Sequence, residues 1–114
     1  MDFPYQRTAS MDKISALNIV TAYLRAIPRD KYALSKAFLF GSYARNRQRE
    51  ESDIDLAIVL QSLADPYDAQ IEFMHLRRAF DLRIEPHLFQ ESQFNDQNPL
   101  AFEILKHGQE IDLT

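Results

Sequence analysis

Two apolar runs, Ala37–Phe40 and Ile54–Leu60, are joined by Gly41-Ser42 and a polar, highly charged stretch that ends at Ser52. That stretch is too short for a full crossover helix, so the two runs are predicted to lie side by side as antiparallel strands. Ala37–Phe40 is continuously apolar and fits a strand covered on both faces. Over Ser52–Gln61 the sequence alternates, with Ile54, Leu56, Ile58 and Leu60 on one face and Asp53, Asp55, Ala57 and Val59 on the other. The two aspartates therefore project from one side of the same strand.

The remaining pattern supplies the partners of this pair. Residues 1–10 are polar and mixed and read as a tail, leaving 11–114 as a single domain. Ser10 is the expected N-cap of a helix running to Ile27, with Asp12 in its first turn, Ile14, Leu17, Val20, Leu24 and Ile27 on its apolar stripe, and Pro28 as its stop. Asp65-Pro66 opens a second helix to Phe80, with Phe73, Leu76 and Phe80 on one stripe and Tyr67, Ile71 and Met74 beside it. A third strand is expected over Asp81–Leu88, with Leu82, Ile84 and Pro86 on one face, Asp81, Arg83, Glu85 and His87 on the other, and Pro86 putting its end at a sheet edge or beyond pairing. Asn98-Pro99 caps a last helix through Lys106 that Gly108 ends, and Glu110–Leu113 reads as a short final strand. Phe38, Phe40, Phe73, Phe80 and Phe102 are assigned to the core. Together these elements predict an α/β (α+β) domain built on a small mixed sheet flanked by α-helices.

Composition narrows the chemistry. The chain has 114 residues, no cysteine and a net charge of −4. Thiolate metal sites are excluded, and backbone-driven binding to nucleic acid is disfavoured because that affinity comes from Lys and Arg neutralising phosphates. No apolar run approaches the roughly 20 residues of a membrane span, and the N-terminal residues carry no leader pattern, so the expectation is a cytoplasmic protein without membrane contact.

Asp53 and Asp55 suit a hard divalent cation such as Mg²⁺, which is held by one or two carboxylates together with substrate phosphates. A lone Asp-x-Asp also occurs on solvated strand faces. Gly41-Ser42 strengthens the reading, because a glycine at a strand end admits close backbone approach and a helical turn starting at Ser42 aims amide N–H groups and a hydroxyl at phosphate oxygens. No lysine follows in the P-loop position. Arg45, Arg47 and Arg49 follow the turn; Arg45 is a candidate phosphate contact, and Arg47 and Arg49 fit a solvated loop equally well. Phosphoryl chemistry calls for a further carboxylate, and Glu85 is preferred to Asp81 as lying nearer the middle of its strand. His87 shares the face of Glu85, whereas His75 and His107 read as helix-surface residues.

Gly41-Ser42-Tyr43-Ala44-Arg45 followed by Ser52-Asp53-Ile54-Asp55 resembles the minimal nucleotidyltransferase branch of the superfamily related to DNA polymerase β. Asn46 stands where that pattern has glycine, a change that a left-handed backbone tolerates, and Arg83–His87 resembles the family's third-carboxylate strand. The resemblance implies the nucleotidyltransferase fold and Mg²⁺-dependent transfer of AMP from ATP to a hydroxyl, with two ions. In that scheme Gly41, Ser42 and Arg45 hold the nucleotide, Asp53, Asp55 and Glu85 serve as metal ligands and catalytic carboxylates, and Glu85 helps activate the acceptor. Minimal members act as antitoxins of a helical HEPN toxin, which implies a HEPN-domain partner and a tyrosine acceptor on it. The alternative is a non-catalytic antitoxin that acts by complex formation. A sugar-nucleotide transferase is disfavoured by the short chain and the Gly-Ser spacing.

Overall fold

The computed structural model describes residues 11–114; the expected tail, 1–10, including the expected cap Ser10, lies outside the described residues. Helix α1 (Lys13–Arg25) is followed by strands β1 (Leu34–Phe40) and β2 (Ile54–Leu60), helix α2 (Pro66–Leu76) with a 3₁₀ turn at Arg77–Ala79, strand β3 (Ile84–Gln90), a 3₁₀ turn at Glu91–Gln93, helix α3 (Pro99–His107) and the short strand β4 (Gln109–Glu110). The sheet order is β3-β2-β1-β4, with β1 antiparallel to β2 and β4, and β2 parallel to β3. This is the mixed sheet that the short β1–β2 link and the α2 crossover require. Pro86 lies within β3, an edge strand, where its missing N–H leaves no ladder bond unmade toward a further neighbour.

Each face of β2 is covered. Ile54, Leu56, Ile58 and Leu60, with Ala37, Leu39 and Ile84, pack against Ala16, Val20, Tyr23 and Leu24 of α1 and Ala69 and Phe73 of α2. On the opposite face Phe38, Ala57, Val59 and Phe89 pack with Ile104 of α3, and Phe40 and Phe94 close over them. The alternation seen in the sequence thus feeds two cores at once. The Tyr23 hydroxyl donates to the Phe73 carbonyl at 2.7 Å and ties α1 to α2, and its burial pushes the phenol above its ordinary range.

Local chemistry explains where the elements differ from expectation. The N-cap of α1 is Asp12, whose carboxylate accepts from the Ser15 N–H at 2.8 Å. Ile14 then falls on the outer side of the first turn, 70% exposed, and the buried stripe runs through Ala16, Val20 and Tyr23. Helix α2 tightens into a 3₁₀ turn after Leu76 and stops short of Phe80, so that Phe80 is exposed against the edge of the Tyr23 ring. Its wide apolar face is not all core: Tyr67 is 75% exposed and Ile71 is also exposed. Strand β3 starts at Ile84 because the Asp81 carboxylate takes the Arg83 N–H at 2.9 Å, a local bond that holds 81–83 in a turn and leaves Leu82 66% exposed. Phe102 is exposed on the side of α3 turned from Ile104, not core. The final strand is Gln109–Glu110, and the Ile111 N–H still donates to the Ala37 carbonyl at 2.9 Å. The Asp65-Pro66 and Asn98-Pro99 caps stand as read. Among the described residues no helix is long and apolar enough to cross a membrane.

Leu56 is fully buried opposite Leu39. Leu56→Ala should cost about 3 kcal/mol of folding stability, read by urea unfolding as a lower midpoint at unchanged slope.

Candidate active site

Sheet register assembles the site from three strands. Antiparallel pairing sets Phe40 opposite Asp55, and parallel pairing sets Glu85 beside Asp55, so the row Phe40, Asp55, Glu85 lies across one end of the sheet. Because Ile54 and Leu56 turn to the helical core, Asp55 turns to the other face.

Two contacts define Asp55. Its Oδ1 lies 3.2 Å from Nε2 of His87, whose ring meets Phe40 edge-on with centroids 4.9 Å apart. Its Oδ2 lies against Gly41: a Cβ built on that glycine would collide with Oδ2 and come within 3.3 Å of the Asp55 Cγ. Gly41 also has a φ of +74°, a left-handed value that side chains rarely adopt. The missing side chain therefore brings the Gly-Ser turn and the carboxylate into direct contact.

After Gly41 the chain makes one tight turn. The Arg45 N–H reaches the Gly41 and Ser42 carbonyls at 3.3 and 3.2 Å, the Arg47 N–H donates to Ser42 at 2.8 Å, and Asn46, with φ +56°, ends the turn in the left-handed region. The brief helical turn expected at Ser42 is this single turn. Among the described residues the backbone N–H groups of Ser42, Tyr43 and Ala44 donate to no other group, leaving them available to an anion. The turn is pinned from behind by the fully buried Tyr43 ring and by Lys13, which donates to the Ala44 carbonyl at 3.1 Å.

Asp53 stands one residue ahead of β2, exposed and without a hydrogen bond among the described residues. Glu85 Oε1 accepts from Arg77 Nη1 at 3.3 Å. Asp81 is occupied elsewhere: Arg83 holds it through Nε at 3.0 Å and Nη2 at 2.8 Å, and that pairing keeps its carboxyl below the usual range. Of the two candidate third carboxylates, Glu85 is the one in register with Asp55.

Helix α3 forms the other wall. A hollow of about 410 Å³ beside the turn is lined by Phe40, Gly41, Ser42, Arg45, Leu100, Glu103 and His107. Arg45 Nη2 lies 3.7 Å from Glu103 Oε1 across it. Sequence reasoning missed Glu103, Leu100 and Arg77 and gave His107 no part in the site. These positions depend on the docking of α3 and on the turn after α2, which no local pattern encodes. Arg47 and Arg49 are solvent-exposed.

Among the described residues no three His, Asp or Glu side chains converge into a group that could hold a metal ion. Asp55 is turned to His87 and Glu85 to Arg77. A Mg²⁺ ion needs fewer protein ligands when phosphate oxygens and water complete its shell. The all-oxygen set of Asp53 and Asp55, set against an anion-accepting turn, fits such a shared ion.

Gly41→Ala should cost about 2 kcal/mol, because it combines a strained φ with the collision at Asp55; it should also lower affinity for a nucleoside triphosphate, measured by calorimetry. The Asp81–Arg83 pair has a pH signature. Its folded-state pKa is depressed below the ordinary 3.8, so its contribution is complete at neutral pH and is lost as pH falls through the depressed value. Asp81→Asn should therefore be less stable than the wild type by about 1 kcal/mol at pH 7, with the gap closing below about pH 3.8 in acid unfolding.

Comparison with known proteins bears on the fold that carries this site. A protein of Methanocaldococcus jannaschii named as a candidate protein adenylyltransferase is 42% identical over 48 residues, which are 42% of this chain and 48% of that protein. The chain thus matches about half the length of that relative. A crystal structure of a toxin–antitoxin with AMP-PNP superposes with a TM-score of 0.60 at 27% identity, over 86% of this chain and 73% of that one. A structure of a tri-AMPylated Shewanella oneidensis HEPN toxin in complex with its MNT antitoxin superposes at 0.56 over 90% of this chain and 73% of that one; at 24% identity it shares the fold alone. The family described as polymerase beta, nucleotidyltransferase, matches residues 23–112, nearly the whole described structure. The chain belongs to the polymerase beta nucleotidyltransferase family.

Proposed function

We propose that this protein transfers AMP from ATP to a hydroxyl, with release of pyrophosphate, and that the acceptor is a tyrosine of a HEPN-domain toxin for which it is the antitoxin. The observation that carries the reading is the contact of Asp55 Oδ2 with Gly41, which brings a metal-type carboxylate against a turn with unengaged amide donors. The relative solved with AMP-PNP is itself a toxin–antitoxin, which supports both the nucleotide and the kind of partner.

In this reading the Ser42 hydroxyl and the amides of the turn bind the phosphate oxygens, and Arg45 exchanges its long contact with Glu103 for the triphosphate. Asp53 and Asp55, joined by Glu85 for a second ion, would be the residues to hold Mg²⁺, which when bound would supply charge neutralisation at the phosphates and a lowered pKa for the acceptor hydroxyl. The acceptor oxygen forms a bond to the α-phosphorus while the bond from that phosphorus to the bridging oxygen breaks, and the electron pair leaves with pyrophosphate. Glu85 takes the hydroxyl proton. His87 keeps Asp55 oriented through Oδ1 and leaves Oδ2 toward the turn.

The test is to incubate the purified protein with labelled ATP, Mg²⁺ and a HEPN-domain toxin from the same source, and to look for AMP adducts by mass spectrometry. The wild type should add AMP. Asp53→Asn and Asp55→Asn should abolish transfer while keeping the melting temperature, since Asp53 makes no hydrogen bond among the described residues and the amide of Asp55→Asn can still pair with His87. Glu85→Gln should slow turnover more than it weakens ATP binding. A tight complex without added mass would replace transfer by neutralisation through binding alone.

A further inference from the structure

Glu85 does not stand free beside Asp55. Arg77, in the 3₁₀ turn after α2, uses one nitrogen, Nη1, to donate both to the Ile84 carbonyl at 2.8 Å and to Glu85 Oε1 at 3.3 Å. The arginine is well enclosed, its side chain 22% exposed against 41% for Glu85, and its buried Nε makes no hydrogen bond among the described residues. The bond to Ile84 fixes the guanidinium to the backbone of the very strand that carries Glu85, so the arginine and the carboxylate are held in one frame. Meanwhile Glu85 Oε2 accepts no hydrogen bond among the described residues.

We propose that Arg77 is a positioning residue: it anchors Glu85 through Oε1, offsets its charge beside Asp55, and keeps the nucleotide-free site from gathering a cation on its own. This rests on the assignment of Asp53, Asp55 and Glu85 above. Two consequences separate positioning from ordinary structural support. With the guanidinium gone, Glu85 is released to join Asp53 and Asp55, and one repelling positive charge is lost, so a bare divalent cation binds more tightly. At the same time the proton acceptor loses its fixed orientation, which slows turnover without touching the residues that bind the nucleotide. A residue that only supported the fold would weaken both properties.

The experiment is a Mn²⁺ titration of the full chain without nucleotide, followed by electron paramagnetic resonance, with thermal melting run alongside. Arg77→Gln should bind Mn²⁺ about threefold to fivefold more tightly than the wild type, the range expected for losing one partly exposed ion pair. Arg77→Lys should stay near the wild type because it keeps the charge. In a Glu85→Gln background the gain from Arg77→Gln should vanish. Arg77→Met, which preserves the packed stem, supplies the same charge change if the glutamine variant does not fold. In the transfer assay Arg77→Gln should lower kcat about tenfold at unchanged KM for ATP. Unchanged or weaker Mn²⁺ binding in a folded Arg77→Gln or Arg77→Met protein, or a gain that survives Glu85→Gln, overturns the proposal. Loss of Mn²⁺ binding in Asp53→Asn alongside either result leaves the cation site itself standing; Mn²⁺ binding unaffected by Asp53→Asn overturns the cation site and the proposal with it.

Discussion

The register of β2 is the constraint on which the molecule depends. The strand is buried on both faces, so a slip of one residue would exchange Ile54, Leu56, Ile58 and Leu60 with Ala57 and Val59 and spoil two cores together. Neither core tolerates that exchange, because the helical side is filled by branched aliphatics and the other by a small residue under phenylalanine rings. Fixing β2 for packing also fixes which way Asp55 points, and the two neighbouring strands then deliver Phe40 and Glu85 to it. The positions of the candidate site groups follow from hydrophobic burial several residues away.

Much of this was legible in the chain because it is written in short-range pattern. The period-two alternation over 52–61 gives the strand and the shared face of its aspartates, the short polar link gives antiparallel pairing, and Pro86 points to an edge position, although pairing with β2 runs on past it to Gln90. Asn46 was open to reading as a left-handed residue, and its φ of +56° agrees. The failures have a common origin in competition between local and distant contacts. Asp12 captures the cap of α1, Asp81 captures Arg83 before the strand can begin, and Phe80 and Phe102 carry core-type side chains that stay exposed, Phe80 with one ring contact to Tyr23. The wall contributed by α3 was invisible for a different reason. Its approach is set by Gly108, where a Cβ would meet the Ile104 and Leu39 carbonyls, and by the pairing of β4 with β1. The Leu39 contact and the β4–β1 pairing join residues far apart in the chain.

The site is also a problem in charge. Three carboxylates share one end of the sheet within an acidic protein, and without a cation their repulsion has to be met by the protein's own groups. Arg77 meets it at Glu85, and His87 accompanies Asp55. Asp53 is left to water, which screens it well at an exposed position. Each of the three thus meets the charge differently, and the arrangement stays folded while keeping oxygen atoms open for a ligand.

Gly41 and Asp53 differ in what would preserve them through sequence drift. Gly41 is required by the backbone itself, since any side chain there runs into Asp55; a descendant that had lost all chemistry and survived only as a binding partner would still keep it. Asp53 is exposed and makes no hydrogen bond or ion pair among the described residues. Under the proposed transfer reaction, its persistence in a lineage would record selection for that chemistry, and its replacement beside an intact Gly41 would mark the descendants in which the scaffold has outlived it.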